Sequence, residues 1–202
     1  TKDYVKSNYG TAITESDLIA KENETISKVD LDRLEVLLTN DYRKNVNSLQ
    51  GIEYLSNIKV AVLPSVEQEN VDFSYNKELL KLFLNWEKRY SGGTSIIKTV
   101  NLDQNTKLKE LLITFFNEEK NLNYSFLTNL ESLYISYSSV KNIVLPNSIK
   151  SINLRANKIE NITLPNGIMG VDLSYNEIEN IVIPNTVRNL DLSGNNIAHI
   201  DL

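Results

Sequence analysis

From Leu130 to Leu202 the apolar residues keep one schedule through four successive copies. Aligned on their first apolar residue, the copies begin at Leu130, Ile149, Ile168 and Val187, each 19 residues after the last. Within a copy, apolar side chains stand at relative positions 1, 4, 6, 11, 14 and 16, as in Ile168, Val171, Leu173, Ile178, Ile181 and Ile183. The alternation at positions 4 to 6 has the period of two of a strand that turns every other side chain inward. Position 9 is Asn157, Asn176 and Asn195, with Ser138 in the first copy. A side-chain amide there satisfies backbone groups buried at a turn, and stacked copies make a ladder of such amides. A second short alternation, Ile181, Val182 and Ile183, runs into Pro184 and Asn185, a turn pair. Each unit therefore reads as strand, turn, short extended return, turn. No unit can bury its apolar side alone, so the units stack into a solenoid.

The spacing LxxLxLxxNxL resembles the leucine-rich repeat (LRR) family. That resemblance implies an α/β repeat class: a solenoid with a parallel β-sheet on its concave side, short extended or turn-like convex segments, and a partly helical N-terminal cap. A 19-residue unit falls short of the usual ~20–29 residues and leaves no room for a convex helix.

Upstream the pattern loosens. Residues 1–23 are polar and mixed in charge, with a helix expected over 13–22. From Thr25 to Leu38 the apolar positions 26, 29, 31, 34, 37 and 38 come close to helical spacing, and Leu34 and Leu37 then enter repeat positions 1 and 4. Val46, Leu49, Ile52, Leu55 and Ile58 resemble the link found early in internalin-like LRR proteins of Gram-positive bacteria. Between residues 58 and 130 two registers compete. Strand pairs Ala61/Leu63, Leu82/Leu84, Leu111/Ile113 and Leu133/Ile135 give steps of 21, 29 and 22 residues and need one insertion, 87–95. The rival places Val71 to Asn76 and Val100 to Asn105 on the concave face, because Val71-Asp-Phe-Ser-Tyr-Asn76 nearly repeats Val171-Asp-Leu-Ser-Tyr-Asn176. It gives steps of 29 and 33 and needs two insertions. The first register yields eight units, starting at Leu34, Ile58, Leu79, Leu108, Leu130, Ile149, Ile168 and Val187, with a flank and cap over 1–33 and the solenoid over 34–202. An apolar last unit without a polar cover predicts that the natural chain continues past Leu202 or that a partner shields this end. The start at Thr1 reads as that of an excised segment.

Composition narrows the chemistry. A net charge of −5 argues against general affinity for nucleic acid or acidic membranes. With no cysteine, disulfides and thiolate metal sites are excluded. No apolar run approaches a membrane span. The single histidine, His199, occupies a variable repeat position, and no P-loop, GxGxxG, HExxH or EF-hand spacing occurs. Asp172 and Asp191 fall in one column of the concave sheet as solvated carboxylates. Sequons at Asn23, Asn123 and Asn161 read as chance matches in an Asn-rich chain. No catalytic residue, cofactor or metal site is expected.

The face the repeat leaves free is more informative. Position 5 down the stack reads Leu38, Val62, Phe83, Leu112, Tyr134, Asn153, Asp172, Asp191, and position 8 carries Trp86, Phe115, Tyr137 and Tyr175. Phe83, Trp86, Leu112, Phe115, Tyr134, Tyr137 and Tyr175 are thus the candidate protein-binding residues of the concave face. The alternative is that they pack as core or lie under a lid from the 87–95 insertion, since a shift of one residue exchanges the two faces. What the resemblance implies is a non-enzymatic binding module, the ligand-recognition domain of a bacterial cell-surface or secreted protein engaged in adhesion or virulence. The 19-residue copies and Pro-Asn returns also look like the short repeats of LRR effectors injected by Gram-negative pathogens. That likeness implies instead a substrate-recognition domain delivered into a host cell, with catalysis outside this segment. A structural spacer is the third reading.

Overall fold

The computed structural model describes residues 12–13, 31–38, 46–63, 65–84, 97–114 and 120–202. Among these residues fifteen short strands, numbered along the chain, build one large and three small parallel sheets. The large sheet has nine strands in the order β1 (Ala12–Ile13), β2 (Val36–Leu38), β3 (Val60–Leu63), β5 (Lys81–Leu84), β7 (Glu110–Thr114), β9 (Ser132–Ser136), β11 (Ser151–Asn153), β12 (Gly170–Asp172) and β14 (Asn189–Asp191). The return segments pair two by two on the opposite side: β4 (Asn70–Asp72) with β6 (Thr99–Asn101), β8 (Lys120–Asn123) with β10 (Val140–Val144), and β13 (Asn180–Val182) with β15 (His199–Asp201). The described residues form a parallel β-solenoid with a large parallel sheet and extended returns, which fits a leucine-rich repeat solenoid.

The register across the middle is the one that needs a single insertion. Leu82 pairs with Ala61 and Leu111, and Leu111 with Leu133, while Val71 and Val100 pair with each other on the convex side. Physical reason favours this choice, because it lets Leu63, Leu82, Leu84, Leu111, Ile113, Leu133 and Ile135 all reach the interior, where each is 2% exposed or less. In the copy that begins at Ile168 the six periodic positions are buried as the spacing requires: Ile168, Val171, Leu173, Ile178, Ile181 and Ile183 are at most 6% exposed, whereas Leu190, Ile200 and Leu202 of the last copy are exposed. One continuous apolar cluster runs from Leu37 to Ile183.

The asparagine ladder also forms. Asn176 Nδ2 donates to the carbonyls of Leu154 (2.9 Å) and Leu173 (2.9 Å), and its Oδ1 accepts from the Ile159 N–H (3.0 Å). Asn157 and Asn195 repeat this geometry one unit to either side, donating to Ile135 and Leu154 and to Leu173 and Leu192. Each amide thus staples a corner to the preceding unit.

A partly helical N-terminal cap is not what the described residues show. Residue 13 lies in strand β1, Leu31 alone carries α-helical backbone ahead of the turn at 32–33 that leads into strand β2, and the 3-10 turn Ile52–Tyr54 is the one other helical element among the described residues. The apolar residues at 34, 37 and 38 belong to the repeat itself: parallel pairing of Leu37 with Ala61 wins over local helical spacing because it buries both. The remaining residues of 14–30 fall outside the described set.

Candidate functional site

Strand alternation decides which side chains face outward. Odd positions flanking Leu82, Leu111 and Leu133 project from the concave side, so Val62, Phe83, Leu112, Tyr134, Asn153, Asp172 and Asp191 pair laterally in one unbroken row. Phe83, Leu112 and Tyr134 are half-buried by each other and lie outside the main core cluster. At ~4.8 Å per strand they span roughly 10 Å. They form the apolar end of a trough of about 790 Å³, whose other end is lined by Asn153, Asp172, Arg188 and Asp191. Ser132, Ser151 and Gly170 form its small-residue flank, and a Cβ on Gly170 would come 3.1 Å from Ser151 Oγ.

The trough has a definite beginning. Val36, Leu38 and Val60, concave residues of the first strands, are buried in a small second apolar cluster against which Val62 packs. Open apolar surface therefore starts at Val62 and Phe83. Beside it, Lys81 and Glu110 pair across neighbouring strands at 2.6 Å, which leaves the aromatic end close to neutral.

The polar end is ordered from within. Asp172 accepts from the Ser174 N–H (3.0 Å), Ser174 Oγ (2.6 Å) and Asn153 Nδ2 (2.8 Å). Asp191 accepts from the Ser193 N–H (2.9 Å), and the Ser193 hydrogen bonds hold its carboxyl below the usual carboxylate range. These bonds close Asx-type turns at the strand ends, so both carboxylates serve the local corner as well as facing the trough.

Tyr137 and Tyr175 stand apart from the row, at the rim where the chain leaves the sheet, 38% and 54% exposed. Both have left-handed backbone, φ 55° and 56°, as do Ala156 (54°) and Gly194 (71°) at the same repeat position. Between the tyrosines lies Arg155, whose Nε donates to Tyr137 Oη (3.3 Å) and whose Cζ sits 4.3 Å from the Tyr175 ring centre. The repeat pattern does not reveal Arg155, because it belongs to position 7 of one unit and meets position 8 of the units before and after. Trp86 and Phe115 fall outside the described residues, as does the 87–95 segment considered as a lid. His199 is exposed on the convex side, in register with Asn180.

No protein-family model and no curated protein matches the sequence. Among solved structures, the chain is similar to an internalin of Listeria monocytogenes, at 15% identity over 92% of this chain and 78% of that one, with a TM-score of 0.34. The fold follows from the ladder itself and not from that likeness.

Proposed function

We propose that this solenoid is a non-enzymatic protein-binding module that holds its partner on the concave face. The observation that carries the reading is the Phe83, Leu112 and Tyr134 row: three large apolar side chains, laterally paired, outside the core and open to the trough. Large rings fixed on a rigid sheet lose little entropy on binding and are the residues that dominate protein interfaces. A spacer has no use for such a row, and its presence weighs against the purely structural reading. Trp86 and Phe115, which the repeat pattern assigns to position 8 of the same units, are included in the proposed surface, and Tyr137 and Tyr175 border it.

The proposed setting is a bacterial cell-surface or secreted protein engaged in adhesion, supported by the internalin-like link at Val46 to Ile58. The 19-residue units with Pro-Asn returns favour a second setting, the substrate-recognition part of a protein delivered into host cells. Among the described residues no helix is long and apolar enough to cross a membrane.

Photo-crosslinking tests the face. A benzoylphenylalanine at Phe83 or Tyr134 should trap one discrete partner from host-cell extract, whereas the same group at Val182, exposed on the convex strand β13, should not. Identical adduct patterns from both faces would defeat the reading.

A further inference from the structure

The rim cluster of Tyr137, Arg155 and Tyr175 contains more order than the fold requires. Left-handed backbone costs a non-glycine residue roughly 1 kcal/mol. Gly194 and Ala156 show that the corner is made equally well with a small side chain, or none. Two tyrosines nevertheless occupy it, exposed, and the intervening guanidinium is fixed three ways: Nε to Tyr137 Oη, Nη1 to Ser174 Oγ (2.9 Å), and the face of the Tyr175 ring. Ser174 is itself held by Asp172, and Tyr175 lies so close over the next corner that a Cβ on Gly194 would fall 2.9 Å from its Cδ1. Strain kept at an exposed corner is a recurrent mark of a working site.

The cation at its centre has no salt-bridge partner among the described residues. Six lysines, 59, 81, 98, 107, 109 and 141, pair with glutamates of neighbouring units. Arg155 forms no such pair among the described residues: Asp191 feels its charge, but the hydrogen bonds of Asp172 and Asp191 go to Ser174, Asn153 and Ser193. Two of the five guanidinium N–H groups donate to Tyr137 Oη and Ser174 Oγ and Tyr175 is a further partner, which leaves the rest of the fork in a plane set by the stack. A preoriented planar fork flanked by phenols matches a carboxylate, which it can bind through two parallel N–H groups.

We propose that Tyr137, Arg155 and Tyr175 form a clamp for an acidic side chain of a protein partner. The inference rests on the reading that the concave side engages a protein, and it adds that this partner carries Asp or Glu beyond its apolar contact. A titration that needs no partner tests it separately from the cross-linking. Acetyl-Gly-Glu-Gly-amide and its Gln counterpart are added to the ¹⁵N-labelled chain, and the arginine Nε–Hε and tyrosine ring signals are followed. The Glu peptide should shift Arg155 saturably and more than Arg188, with Tyr137 and Tyr175 moving in step, and the Gln peptide should not. Arg155→Lys keeps the charge but loses the fork, and should abolish the tyrosine shifts while the remaining spectrum shows a folded chain. Equal response to both peptides, equal movement of Arg188, or undiminished tyrosine shifts in Arg155→Lys would overturn the clamp.

Discussion

Asn176 makes its three bonds at a buried corner, two as donor to carbonyls of its own and the preceding unit and one as acceptor from Ile159. Truncation to alanine orphans the Ile159 N–H in a place 6% exposed, where water does not replace the amide, and takes one of two asparagine donors from each of the Leu154 and Leu173 carbonyls, which Asn157 and Asn195 still serve. Asn176→Ala should therefore cost about 2 kcal/mol, since one orphaned buried donor is penalised beyond the net worth of a bond. Asn195→Ala, at a half-buried corner, should cost less than half as much, and urea denaturation of the two variants measures the difference. Tyr124 offers a test by pH. It is buried at a convex corner, and burial pushes its phenol above the ordinary value of 10.0. Below that value both folded and unfolded chains keep the proton and stability is unaffected. Above it the unfolded chain ionises first, so stability falls as pH rises, by up to about 1.4 kcal/mol per pH unit for one such group. Urea midpoints at pH 8 and pH 11 should fall less steeply for Tyr124→Phe than for the parent.

At the scale of elements, the near-identical stretches Val71 to Asn76 and Val171 to Asn176 show what pattern reading captures and what it misses. Both make the same local device: a short strand, an aspartate accepting from the serine N–H two residues on, and an asparagine whose Nδ2 reaches carbonyls of the preceding unit. The first sits on the convex side and the second on the concave side. Local sequence thus encodes a corner and does not encode which corner. Asn76 and Asn105 carry the ladder at the convex turns, Asn157, Asn176 and Asn195 at the concave ones. What separates the two registers in the sequence is the burial of Leu82, Leu84, Leu111 and Ile113, together with the count of insertions each choice requires. The apolar row of the concave face was legible for the same reason, since alternation assigns Phe83, Leu112 and Tyr134 once the inward leucines are fixed. The N-terminal segment misleads because Leu34, Leu37 and Leu38 satisfy a helical period and a strand period alike, and pairing with β3 decides between them. The Arg155 cluster was illegible because it depends on left-handed backbone at position 8, which no periodicity records.

Over the whole molecule, stability is a sum of units and their interfaces, so position along the stack should matter as much as residue type. Leu111 and Leu190 occupy the same repeat position, the first in a strand paired on both sides and the second in the edge strand of the large sheet, and Leu111 is 1% exposed and Leu190 41%. Strands β14 and β15 are exposed at every residue, whereas β9 is buried or half-buried throughout. Amides of β14 and β15 should exchange with solvent through opening of the last unit alone, well before those of β7 and β9, which need disruption of units on both sides. Leu111→Ala should correspondingly cost about 3 kcal/mol and Leu190→Ala about 1 or less, because the second removes little surface from the interior. Hydrogen exchange by mass spectrometry on the parent chain and the two variants measures both. If instead every strand exchanged at one common rate, and both substitutions shifted it equally, the solenoid would be unfolding as a single cooperative block and the nearest-neighbour account of its stability would fail.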